Sequence, residues 1–273
     1  MKGLIFEIHL SCFVIANAGR YLKHSDSRNI HFYLTHQGKC FVDDLILEIK
    51  NSIHSKFMQY QCKNTENISW NLTARGKKLS LRNCFDLDLK LNAAFANESK
   101  LYLVVRAANV AAMDAQKGAA LDAVRVLSFP HDDQVGDALR NMPQFATTLA
   151  ALSPFRPDEY EALSTVAGSI IGAWLATSRI SVDVEQLFKG IRDPILSIDA
   201  QRTIDTDLEQ HLTATLNLET DTSNGFLCWH HTPTGLSGFI PSPIGSTVFN
   251  LYRDAILQRR PTAMEEFMSI TQA

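Results

Sequence analysis

Glu98-Ser99-Lys100-Leu101-Tyr102-Leu103-Val104-Val105-Arg106 is the stretch whose reading decides the fold. Leu101 to Val105 is apolar at every position. A strand with one wet face alternates, so this run reads as a strand inside a sheet and not at its edge. The charge balance turns at its end. Up to Arg106 the chain carries 15 Lys/Arg against 9 Asp/Glu, and after it 11 against 20, for a net charge of −3. A composition switch at one point predicts a domain boundary there, and 273 residues predict two domains. Apolar residues make up 45% and charged residues 20%, values of a chain that buries a core.

Working back from Glu98, Leu87, Leu89 and Leu91 alternate and predict a strand. Trp70, Leu72 and Ala74 predict another, with Arg75-Gly76 as a turn. Val42, Leu45, Ile46, Ile49, Ile53 and Phe57 follow the i, i+3, i+4, i+7 rule, which predicts a helix from about 42 to 56. Asp43 and Asp44 would sit in its first turn, where acidic groups suit the helix dipole. Ile30 to Thr35 and Leu4 to Leu10 alternate as strands. Residues 1–19 also admit a second reading. Lys2, an apolar run and Ala16-Asn17-Ala18 have the layout of a secretory signal, against which Glu7 and His9 interrupt the run.

Strand, strand, helix and closing strands is the β-grasp order, and here the chain resembles ubiquitin. Gly76-Lys77-Lys78-Leu79 is similar to that family's glycine turn, and Glu98 to Arg106 to its last strand. Val42, Leu45 and Ile49 match the inward positions of its helix, and Met1 to Leu10 its first strand. The resemblance covers about residues 1–106 and implies an α+β protein: an N-terminal ubiquitin-like β-grasp domain followed by an all-α C-terminal domain. It implies a docking surface as well. By position the family's apolar patch includes Thr73, where the family has an isoleucine, and Val104, with Arg75, Lys77, Lys78 and Arg82 around it. These residues are the expected partner-binding face. The chain continues Arg106-Ala107-Ala108-Asn109 where the family ends in Gly-Gly, so conjugation is not expected. The stretch from Leu79 to Phe95 is longer than the family's.

After Ala107 the pattern is helical. Alanine-rich 107–127 predicts one helix, and Val135 to about Leu152 a second, broken near Pro143. Pro157 with Asp158 and Glu159 starts a third, running to about Thr177. Ser181 is the expected cap of a fourth over 182–191. Ile204, Leu208, Leu212 and Leu216 predict a fifth, and Ser246 caps a long one over 247–258. Residues 220–243, rich in Gly and Pro, form an irregular insertion or short hairpin. Gly168 and Gly172 are spaced for two helices to approach closely.

Cys228-Trp229-His230-His231 is the one local cluster of reactive types. On an extended segment Cys228 and His230 share a side, and they are the candidate catalytic residues if the chain is an enzyme. No second pair at metal-ligand spacing accompanies them, so no metal and no cofactor is expected. The five cysteines are odd in number and scattered, which fits free thiols in a reducing, cytoplasmic setting. No run of 18 clean apolar residues predicts a membrane span. Nucleic acid is not expected, because the acidic half repels phosphate. The leading expectation is a non-catalytic adaptor with a protein partner on the ubiquitin-like domain. The alternatives are an enzyme that uses Cys228 and His230 with that domain as targeting module, and a subunit of a larger assembly.

Overall fold

The computed structural model describes the chain except residues 1, 25–28, 37–39, 43, 74–78, 95–97, 178–180, 192, 199–200 and 272–273. Six strands form one mixed sheet: β1 (His31–His36), β2 (Leu45–Lys50), β3 (Ser55–Lys63), β4 (Glu98–Val105), β5 (Val124–Ser128) and β6 (Val182–Asp183). Their order is β5-β4-β3-β2-β1-β6. β4 holds the quoted stretch and lies inside the sheet, as its composition predicts. Both of its faces are covered. Tyr102 and Val104 enter one core, and Leu101, Leu103 and Val105 enter another.

β1, β2 and β3 pair antiparallel, whereas β3, β4 and β5 run parallel. Parallel neighbours need a crossover. Two helices provide them on one face, α2 (Leu81–Ala94) and α3 (Ala107–Gln116). Leu81, Phe85 and Met113 from these helices pack with Val42 and Trp70 under β4. The Trp70 indole N–H donates to the Met113 carbonyl at 2.7 Å.

The opposite face is covered by α1 (Lys2–His24), a 23-residue helix at the start of the chain. From His9 to Gly19 it is buried on nearly every side. A helix apolar all round belongs in a core, and its polar groups bond within it: Ser11 Oγ donates to the Glu7 carbonyl and Asn17 Nδ2 to the Phe13 carbonyl. Behind α1 lie α4 (Val135–Asn141), α5 (Pro143–Ala150), α6 (Tyr160–Ala176) and α7 (Val184–Gly190). The break at Pro143 is as predicted. The cap of α7 is Asp183, whose side chain accepts from the Gln186 N–H, and not Ser181. Gly168 and Gly172 are exposed, and a Cβ at either meets nothing within 4 Å. The close approach is at Gly19 instead, where a Cβ would stand 2.5 Å from the Phe188 ring.

The chain closes with a smaller unit around its own core. It comprises α8 (Thr206–Gln210), a π-helical turn (His211–Thr215), the antiparallel sheet β7 (Leu218–Asp221), β8 (Phe226–His231) and β9 (Leu236–Pro243), then α9 (Thr247–Arg259) and α10 (Met264–Thr271). The Ser246 side chain caps α9 through the Phe249 N–H, as predicted.

The ubiquitin-like reading does not describe this chain. Leu4 to Leu10 lies in α1, not in a strand, and Leu87, Leu89 and Leu91 lie on α2. The expected helix over 42–56 is β2 and the turn into β3. Its apolar pattern suits both periods, and pairing with β1 and β3 selects the strand. Its start is tied down by other elements: Asp88 of α2 accepts from the Phe41 and Val42 N–H groups, and Asp44 accepts from the Cys62 N–H at 2.7 Å. Nor is the remainder all-α, since β5 and β6 join the first sheet and β7–β9 form a second.

Candidate functional site

At the carboxyl ends of the parallel strands, Lys63, Val105 and Ser128 stand level in register. Ligands of open α/β sheets bind at such an edge, because backbone and loops there converge without covering it. A cavity of about 800 Å3 opens here between the sheet, α1 and the α4–α5 corner.

Its sheet wall is Met58 and Tyr60 of β3, Tyr102 and Val104 of β4, and Leu127 of β5. Alternation along the strands puts all five on the α1 face. The Tyr60 and Tyr102 rings stack with centroids 5.0 Å apart and planes 16° from parallel. Burial pushes both phenols up, so both stay protonated at neutral pH. The helix wall is Leu10, Phe13 and Val14. Phe129 closes the inner end, packed edge-on against Phe6 with centroids 5.7 Å apart. Its N–H donates to the Val105 carbonyl at 3.0 Å, which turns the chain into the cavity after β5.

The polar groups cluster on one side. His131 and Asp132 follow Phe129, and Asn141 and Gln144 come from the α4–α5 corner. Asn141 Nδ2 donates to Asp132 Oδ2 at 3.0 Å and fixes that carboxylate. Nearby, His9 is 5% exposed and its Nδ1 has no hydrogen-bond partner. Burial lowers its pKa, against the opposing pull of Asp132 and Asp133.

The residues singled out from sequence fall elsewhere. Thr73 is exposed and bridges to Ser80. Arg75, Lys77 and Lys78 lie outside the described residues. Arg82 donates to the Gln116 and Lys117 carbonyls at the end of α3. Val104 is 1% exposed and belongs to the cavity wall. Cys228 and His230 do share one face of β8, and they line a second cleft of about 750 Å3 against the turn at Phe155. The Cys228 Sγ donates to the Pro154 carbonyl, and burial with Asp221 and Glu159 pushes the thiol up to about 11. Few thiolates exist at neutral pH under that shift. His230 Nδ1 pairs with Ser237 Oγ at 2.8 Å. Among the described residues, no three His, Cys, Asp or Glu side chains are grouped to hold a metal ion.

Sequence reading passed over Tyr60, Asp132 and Asn141. The available signal was Phe129-Pro130-His131-Asp132-Asp133 directly after a strand-like run, but its meaning depends on β4 and β5 being parallel.

No protein-family model matches the chain, and no curated protein matches it. Solved structures similar to it include the Acinetobacter baumannii Cap4 SAVED/CARF-domain containing receptor with the cyclic trinucleotide 2'3'3'-cAAA, at 12% identity and a TM-score of 0.37 over 65% of this chain and 42% of that one. The same receptor with 3'3'3'-cAAA gives 13% identity, a TM-score of 0.38, and 65% and 42% coverage. The receptor alone gives 13%, 0.38, 65% and 44%. The chain thus spans less than half the length of these receptor chains. Likeness at this level assigns no ligand and no activity to the chain.

The expected function changes with the fold. The adaptor reading and a protein partner on a ubiquitin-like face fall, because the described residues form no β-grasp domain: the first residues are a helix, and the strands from 31 to 128 belong to one six-stranded mixed sheet. The version with that domain as a targeting module for an enzyme falls for the same reason. The exclusion of nucleic acid is withdrawn too. It rested on overall charge, whereas the cavity holds a stacked tyrosine pair of the kind on which a base can lie.

Proposed function

We propose that the protein is a small-ligand-binding domain, a sensor module whose cavity at the carboxyl edge of β3, β4 and β5 takes a flat ring against Tyr60 and Tyr102. The observation that carries this is the stacked pair inside a cavity of about 800 Å3. Small-molecule sites commonly measure about 300–1,000 Å3, with apolar walls and a few convergent polar groups. The apolar walls come from α1 and the sheet, and the polar groups from the loop after β5 and the α4–α5 corner. Ring stacking on an aromatic side chain contributes about 1–3 kcal/mol.

Calorimetric titration of the full chain with adenosine, a cyclic trinucleotide of adenosine, tryptamine and cyclohexylamine tests the reading. A flat-ring compound binds the wild type, and Tyr102→Leu weakens it about 10- to 100-fold while circular dichroism shows an unchanged fold. Cyclohexylamine, which has no flat ring, does not bind. Absence of binding by every ring compound overturns the reading, and so does equal binding to folded Tyr102→Leu.

A further inference from the structure

We propose that Asp132 sets the charge of the ligand: the ring in this cavity presents a hydrogen-bond donor, amine or hydroxyl, to that carboxylate, and anionic groups are kept out. The proposal rests on the preceding reading of the cavity and names the ligand class that the site selects.

Asp132 is half-buried and lines the polar side of the cavity. Asn141 holds Oδ2 from the protein side at 3.0 Å. A carboxylate has two oxygens and about four acceptor positions, so one donated bond leaves capacity for a ligand. Among the described residues no Lys or Arg lines the cavity, and none forms an ion pair with Asp132. Arg125 stands opposite Tyr102 in the register and acts on that phenol, but it does not line the cavity. His9 supplies no compensating charge, because burial favours its neutral form. With the imidazole of His131, which lines the cavity beside Asp132, in its neutral form, the local field is negative, and the apolar walls concentrate it. A cationic or donor group gains from this field, and a carboxylate or phosphate in the same place is repelled. A ligand with a phosphate would have to direct it outward, away from Asp132.

Three indoles with one ring and different charge separate the possibilities: tryptamine, indole-3-ethanol and indole-3-acetate. In low salt the wild type binds them in that order, with the first and last about tenfold or more apart. Asp132→Asn keeps the size of the side chain and can keep the contact with Asn141, so the fold is retained. In that variant the spread shrinks to about threefold or less. Asp133→Asn retains most of the spread. Equal binding of all three indoles, or an unchanged spread in Asp132→Asn, overturns the charge proposal and leaves the cavity reading standing. Binding of none of them overturns the charge proposal, and the cavity reading falls with it when adenosine and the cyclic trinucleotide fail to bind as well.

Discussion

Lys23 ends α1 in an unusual position. Its ammonium donates to the Ala151 carbonyl at 3.0 Å and the Asn224 carbonyl at 2.5 Å, and lies 5.7 Å from the centre of the Phe226 ring. Burial, and then the nearby Arg202 charge, lower its pKa to about 8 from an ordinary 10.5. The folded state therefore gives up the proton before the unfolded chain does. Between about pH 8 and 10.5 the unfolded chain binds more protons, so this residue makes stability rise with pH. Below pH 8 the cost of the buried charge is fully present, on the order of 3 kcal/mol. Denaturant unfolding across this window gives an upward slope in the wild type that Lys23→Met lacks. Equal slopes in the two proteins would contradict the assignment. None of this was legible in sequence, where Lys23 is one of 26 Lys/Arg and nothing local sets it apart.

At the scale of elements, glycines test the packing. Gly19 lets α1 approach α7, and a Cβ there meets the Phe188 ring. Gly168 faces open space on α6. Gly19→Ala is expected to destabilise by about 1–3 kcal/mol through overpacking. Gly168→Ala is expected to stabilise by up to about 1 kcal/mol, because alanine is the better helix former. Thermal melts of both variants check the pair, and the reverse order would mean that the glycine spacing on α6 marks the real approach. The elements differ in legibility for a physical reason. β4 was readable because burial on both faces leaves an unbroken apolar run. α4, α5, α6 and α9 were readable from Pro143, Pro157 and Ser246. α1 was misread because a fully buried helix has no polar stripe, and seven of its residues happen to alternate. β2 was misread because Leu45, Ile46 and Ile49 satisfy two periods at once, and only the strands beside it choose between them.

In the whole molecule, the six-stranded sheet divides two cores, and the small antiparallel sheet of β7, β8 and β9 with α8, α9 and α10 gathers a third. Lys23 and the edge-on contact of Phe155 with Phe239, centroids 5.4 Å apart, join the smaller unit to the rest. Among the described residues, no helix is long and apolar enough to cross a membrane. The cavity draws on α1, three strands and the α4–α5 corner, from Leu10 to Gln144. A site assembled over that span leaves no local motif, which is why sequence reading placed a docking face around Thr73 and Val104 and kept Cys228 and His230 as the alternative, and met only Val104 of the residues that line this cavity. The central claim is that this assembled cavity holds a flat ring on Tyr60 and Tyr102. The most direct test is a crystal structure of the full chain grown with 5-bromotryptamine, using the anomalous signal of bromine to locate the ring. The account predicts a bromine peak inside the cavity with the indole parallel to Tyr102. A peak only in the cleft beside Cys228 and Phe239, or none in an ordered crystal at saturating ligand, would contradict it.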